Sequence, residues 1–172
     1  MPEEIAYPFT PKSVSRLRPG QFFGFVLSNG TWAAGQVLTV PVHQDDDPGG
    51  HLLRSQRSFV YGLLDWNRPS LPQADDLECA AIVRWGVAHI KAITEHPPGV
   101  ILGSRALLTT DGAPAARMKS HTAGGVVWVY KWGHCEGPAN REDKASLETM
   151  GTWGYGYGRA LAERLFIGGT RS

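Results

Sequence analysis

Short apolar runs along the chain are separated by stretches that carry glycine and proline, a pattern typical of many short β-strands. Residues 21–27 (QFFGFVL) and 31–40 (TWAAGQVLTV) are apolar runs on either side of a Ser-Asn-Gly sequence. Asn-Gly readily takes the positive φ angles of a two-residue hairpin turn. Phe23 and Phe25 share one face of the first strand, since strand side chains alternate. The pattern predicts a hairpin with this face in the core, and Gly35 marks a bulge or a close backbone approach.

Further apolar runs predict one helix and more strands. The segment Tyr157–Phe166 is rich in helix formers and is followed by paired glycines, so a helix should end there. Leu161 and Leu165 are four residues apart and predict the face that packs on the sheet. Residues 79–93 fit one bent strand or two short ones, with a helix over 76–86 as the alternative. Other strands are predicted at 57–66, 100–103 and 125–132, with loops at 41–56, 67–78, 104–124 and 133–144.

Strands follow one another mostly without intervening helices. This order predicts a β-rich α+β fold, either an antiparallel sheet or a partly open barrel, with a C-terminal helix packed on it. A chain of 172 residues is long enough for one domain with a full core. We therefore predict a single domain over 1–172, in which 1–18 form a proline-rich entry arm. Most of the six tryptophans should be core residues, Trp128 above all.

Composition and charge narrow the function classes. The net charge of +1 argues against nucleic-acid binding driven by bulk charge. No basic run is interleaved with aromatic residues, and no apolar stretch is long enough to cross a bilayer. The N-terminus lacks the basic start and apolar region of a signal peptide. We expect a cytoplasmic protein with no membrane partner, in which Cys79 and Cys135 are free thiols.

Motifs with catalytic or metal-binding spacing are not found. His134-Cys135-Glu136 is the densest cluster of ligand types, but neighbouring strand residues point to opposite faces, and no standard zinc spacing is present. The glycine-rich 151–158 (GTWGYGYG) precedes the helix but lacks a P-loop lysine, so an edge strand fits it better than a phosphate site. We predict no catalytic residue, cofactor or metal. The alternative is a hydrolase or transferase whose site gathers distant side chains, namely His89, His134, Asp65 and Glu136.

Acidic residues cluster in the two loops 41–56 and 67–78. Charge runs usually keep loops solvated, but complementary charge on a partner also raises association rates and fixes register. A tryptophan beside the second cluster would anchor such a partner if it were exposed, because tryptophan is enriched at interface hot spots. The predicted partner-binding residues are Asp45, Asp46, Asp47, Asp65, Trp66, Asp75 and Asp76.

The predicted hairpin resembles that of a known family. The positions that carry the resemblance are Pro19-Gly20, Phe22-Phe23, Leu27, Asn29-Gly30, Gly35 and Val37. They resemble the N-terminal hairpin of the immunity protein 26 family of bacterial polymorphic toxin systems, which reads PGD-x-F … PL-x-DG-x-x-x-x-G-x-V. Gln21 stands where an acid is common, and Val26 replaces a proline. The resemblance covers 19–103, is clearest over 19–38, and leaves 104–172 as a strand plus the C-terminal helix.

The resemblance implies a non-catalytic immunity protein. Such a protein would bind and neutralise a cognate toxin domain by stoichiometric protein–protein interaction. A nuclease toxin with a basic substrate groove would suit the acidic loops of this chain. The alternative reading is a small β-barrel module that binds a peptide, or less readily a nucleic acid, in a groove lined by Trp66, Trp85 or Tyr61.

Overall fold

The described part of the chain forms a six-stranded sheet, a three-stranded sheet and three short helices. The computed structural model describes residues 4–41, 57–107, 109–110, 112–121 and 125–168. The strands are β1 (Gln21–Val26), β2 (Trp32–Thr39), β3 (Ser58–Arg68), β4 (Ile82–His89), β5 (Gly103–Ser104), β6 (Arg117–Lys119), β7 (Trp128–Lys131), β8 (His134–Pro138) and β9 (Thr152–Trp153). The helices are α1 (Lys91–Thr94), α2 (Arg141–Ser146) and α3 (Tyr157–Phe166), with 3-10 turns at Val14–Arg16 and Ala74–Leu77.

The larger sheet has the order β5-β1-β2-β3-β4-β9. Its neighbours are antiparallel except for the β4–β9 pair, which is parallel. The sheet is not closed into a barrel, so of the two predicted architectures the antiparallel sheet with a C-terminal helix is confirmed. Strands β1 to β4 form a meander, and successive connections therefore lie at alternate ends of the sheet.

Both faces of this sheet are buried. Phe23, Phe25 and Leu27 lie in one hydrophobic core, which the entry arm, α1 and α3 cover. Phe22 points the other way, into a second core that the three-stranded sheet β6-β7-β8 covers. Burial on both faces explains why the central strands are apolar at almost every position instead of alternating with charged residues.

The predicted hairpin forms as expected. Gly30 has a φ of +83° in the turn between β1 and β2, a conformation that favours glycine. Gly35 marks both features that were predicted for it. The β2–β3 register shifts between Ala33 and Gly35, and a Cβ atom at Gly35 would lie 2.6 Å from Cζ of Phe23. The Phe23 ring therefore occupies the space that a larger residue at position 35 would need.

The C-terminal half contains more structure than was predicted. The expected loop 133–144 holds β8 and α2, and β6 lies in the expected loop 104–124. The helix alternative for 76–86 is wrong, because that stretch holds the end of the 3-10 turn Ala74–Leu77 and then the first part of β4. Trp128 was predicted to be a core residue but is only half-buried, whereas the other side of β7 carries the buried Val129.

Helix α3 has the predicted bounds, and the stretch before it contains β9, an edge strand as expected. The predicted packing face is only half right. Leu161 is buried against the sheet, but Leu165 is 47% exposed. The helix approaches the sheet closely at Gly158, where an added Cβ atom would overlap the hydroxyl of Tyr61.

Candidate functional site

The predicted partner-binding residues fall into three groups. Asp45, Asp46 and Asp47 lie outside the described residues. Asp65, Asp75 and Asp76 are exposed, as a partner-binding role requires. Trp66 is buried, so among the predicted residues that the structure describes, the second group alone offers side chains to a partner.

The loop between β3 and β4 fixes the exposed carboxylates in place. Leu77 is completely buried in the second core and anchors the 3-10 turn Ala74–Leu77. The carboxylate of Asp76 accepts a hydrogen bond from the Gln73 N–H at 3.2 Å, which closes the start of this turn. At the end of the loop the Asp65 N–H donates to the Ala81 carbonyl at 2.8 Å, so the loop returns to β3 beside Asp65.

We call the exposed carboxylates of this loop and of the adjoining part of β3 the acidic end of the sheet; they are Asp65, Asp75, Asp76 and Glu78. Between positions 65 and 81 Arg68 is the single basic residue, which leaves a formal charge of −3 from four acids and one base. Glu78 was not among the predicted residues, although its place two positions after Asp76 was the available signal. Arg105 lies close enough to Glu78 for their charges to interact and offsets part of this charge. The remaining excess of negative charge favours basic partners.

The prediction of Trp66 as an exposed anchor is wrong. Its side chain is 6% exposed and lies in the second core with Leu77 and Trp85. Asp65 and Trp66 are adjacent on β3 and therefore point to opposite faces of the sheet. The second core covers the face that Trp66 takes, so a partner cannot reach its ring.

The two acidic segments of the sequence leave β3 at opposite ends. The loop 41–56 connects β2 to β3, whereas the loop of the acidic end connects β3 to β4. In an antiparallel meander these connections leave from opposite ends of the shared strand. Strand β3 has 11 residues, so its ends are about 35 Å apart at roughly 3.3 Å per residue.

The aromatic groove of the alternative module is not formed. Tyr61 and Trp85 are as inaccessible as Trp66, with exposures of 1% and 0%. The indole N–H of Trp85 donates to the Ala115 carbonyl at 2.7 Å, and burial raises the pKa of the Tyr61 hydroxyl, which therefore stays protonated. These rings hold the two cores together and do not line a binding surface.

The residues of the alternative hydrolase site do not meet. His89 pairs with Ser58 at one end of the β3–β4 ladder, and Asp65 lies at the other end. Seven residues of strand separate these two positions, which is about 23 Å at roughly 3.3 Å per residue. His134 and Glu136 are on β8, in the other sheet. The four side chains therefore do not form one site.

A cleft of about 360 Å³ lies where β4, β6 and α3 approach one another. Its wall is mostly apolar and includes Leu161 and the exposed Leu165. The Arg84 guanidinium donates to the Glu148 carboxylate at 2.6 Å across this cleft, and that hydrogen bond raises the pKa of Arg84. Arg117 also lines the cleft and bridges Glu136 and Asp143, at 3.1 and 3.2 Å. Sequence patterns did not reveal this cleft, because its residues come from four distant segments.

Among the described residues no three His, Cys, Asp or Glu side chains are grouped closely enough to hold a metal ion. No helix in the described part of the chain is long and apolar enough to span a membrane. Cys79 is exposed, Cys135 is half-buried, and the two are not joined in a disulfide. Comparison of the chain with protein-family models, curated proteins and solved structures found no match.

Proposed function

We propose that this protein is an immunity protein that binds a cognate bacterial toxin domain and neutralises it by stoichiometric protein–protein interaction. The observation that carries the proposal is the β1–β2 hairpin. The stretch that resembles the immunity protein 26 family forms this hairpin, and its glycines occupy positions with a physical need for glycine. Gly30 has a positive φ in the turn, and Gly35 makes room for the Phe23 ring.

The acidic end supports the same proposal. Its carboxylates are exposed, while Leu77 and the hydrogen bonds of the loop hold the backbone beneath them. A surface that is already ordered loses little conformational entropy when it binds. Its negative charge suits a toxin with a basic groove, such as a nuclease, and complementary charge would speed their association.

The direct test is binding to a toxin domain encoded beside the gene for this protein. The two proteins are co-expressed and purified through a tag on the toxin, and toxin activity is measured with increasing amounts of this protein. We expect a one-to-one complex and loss of toxin activity at the equivalence point. A neighbouring toxin that neither binds this protein nor loses activity would overturn the proposal.

The contribution of the acidic end is tested in the same complex by charge reversal. Asp75→Lys should lower the association rate about 5- to 10-fold at low salt, because steering by charge supplies factors of this size. Glu95→Lys is the matched control, since Glu95 is an exposed glutamate that follows α1 and lies outside the acidic end. It should change the rate less than about twofold. Equal effects of the two substitutions would rule out the acidic end as the steering surface.

A further inference from the structure

The turn between β1 and β2 is joined to the C-terminal helix by a carboxylate. Glu163 of α3 accepts two hydrogen bonds from Ser28, one from the backbone N–H at 2.6 Å and one from the hydroxyl at 2.8 Å. Arg159, one turn earlier in α3, lies 3.5 Å from the same carboxylate and donates from Nε to the Val26 carbonyl at 2.9 Å. These contacts, which we call the Glu163 latch, connect residues more than 130 positions apart in the sequence.

The segment that leads into α3 is anchored at Trp153, which is buried against Tyr61 in the core that contains Phe23. Between Trp153 and the helix the chain is less closely packed. Positions Gly154 and Gly156 have open space where a side chain would stand, and Tyr155 between them is exposed. The strand before them, β9, pairs with β4 at only two positions. Helix α3 is therefore held by its apolar face, around Leu161 and Ala162, and by the latch on its polar side. Trp153 stays with the sheet through its contact with Tyr61, and α3 can open beyond this anchor without the sheet.

The contacts of the Glu163 latch depend on the protonation state of its carboxylate. An ionised carboxylate accepts hydrogen bonds at both of its oxygens. Protonation turns one oxygen into a donor, which weakens the pair of hydrogen bonds from Ser28, and removes the charge that attracts Arg159. His96 and Arg164 line the same shallow cavity as Glu163 and Arg159. His96 Nε2 also contacts the Tyr155 carbonyl at 2.7 Å, just before the helix begins.

We infer that the Glu163 latch makes α3 an acid-releasable element, which detaches from the β1–β2 turn before the sheet unfolds. The electrostatics agree with this geometry. The hydroxyl of Ser28, then its N–H and the Arg159 charge, lower the pKa of Glu163 from its ordinary value of 4.5, against the opposing effect of burial. A lowered pKa means that the latch stabilises α3 fully above the unfolded-state pKa and is lost as the pH falls through the folded-state pKa.

Amide hydrogen exchange tests the inference, with protection factors that correct for the intrinsic pH dependence of exchange. The readout is the protection of α3 amides relative to those of β2 in the centre of the sheet. Hydrogen bonds to a charged group are worth enough that this ratio should fall about 10-fold as the pH is lowered from about 6.5 through the folded-state pKa of Glu163. In Glu163→Gln the ratio should already be about 10-fold lower at the higher pH and should change little on acidification.

Two further variants separate the latch from general acid effects. Ser28→Ala removes the hydroxyl donor but keeps the N–H, so its ratio at the higher pH should lie between those of the wild type and Glu163→Gln. Glu142→Gln, at an exposed glutamate of α2, should behave as the wild type. Parallel loss of protection in α3 and β2 on acidification would overturn the inference. A Glu163→Gln protein with wild-type protection of α3 would overturn it equally.

Discussion

At the scale of single residues, glycines decide how closely the elements approach one another. Helix α3 lies against β3 because Gly158 leaves room for the Tyr61 hydroxyl. Alanine favours an isolated helix over glycine by about 1 kcal/mol, but here its Cβ atom would push the helix off the sheet. We therefore predict that Gly158→Ala lowers the free energy of unfolding by about 1–3 kcal/mol, as overpacking commonly does. Urea unfolding at neutral pH measures this change.

The matched control is Gly154→Ala, because nothing lies near a Cβ atom at that position. It should change stability by less than about 0.5 kcal/mol, as surface substitutions usually do. Tyr61→Phe removes the atom that the new methyl group would strike, so Gly158→Ala should cost less in that background. An equal cost in both backgrounds would mean that contact with the hydroxyl is not the cause.

At the scale of elements, sequence analysis succeeded where the signal was local. The β1–β2 hairpin and α3 were predicted because a turn sequence or a run of helix formers marks each of them. The β7–β8 hairpin was missed because its turn is Trp132-Gly133, with φ angles of +52° and +88°, and tryptophan rarely takes such an angle. Tertiary contact supports this turn, since the Thr39 hydroxyl donates to the Trp132 carbonyl at 3.0 Å.

Helix α2 was missed because six residues are too few to show helical periodicity, although its capping residues are visible. The Asn140 side chain accepts from the Asp143 N–H at 2.8 Å, and the Asp143 carboxylate accepts from the Asn140 N–H at 3.3 Å. We predict that Asn140→Ala lowers the free energy of unfolding by about 1 kcal/mol. Ser146→Ala, at the other end of α2, should cost less than about 0.5 kcal/mol. Chemical unfolding compares the two, and equal costs would contradict the capping role.

At the scale of the whole molecule, the sequence could not reveal how the faces of the sheet are covered. Strand β3 shows the difficulty, because Leu63 and Leu64 are adjacent and both completely buried, in opposite cores. When both faces are apolar, alternation no longer marks an exposed side. For this reason the charge of Asp65 marks that side chain as exposed, whereas nothing in the apolar pattern shows whether the adjacent Trp66 is exposed or buried. The cleft beside Arg84 depends on tertiary packing alone.

The shared sheet should make the two cores unfold together. Leu63 and Leu64 provide the test, because truncation of each removes packing from one core only. Each Leu→Ala substitution should cost about 2–5 kcal/mol, and each should shift the entire unfolding transition, since β3 is a wall of both cores. Tryptophan fluorescence and far-ultraviolet circular dichroism should therefore report one coincident transition in both variants.

Leu165→Ala is the control for this comparison, because Leu165 is a largely exposed leucine on α3. This substitution should lower the free energy of unfolding by less than about 1 kcal/mol. Two separated transitions in either variant would show that the cores unfold independently. In that case one face would be a separate folding unit attached to the central sheet. This unit would be either the three-stranded sheet with its core or the arm and helices with theirs.

A single transition instead means that stabilising one face of the sheet also protects the acidic end from local opening, because its anchor Leu77 belongs to the second core.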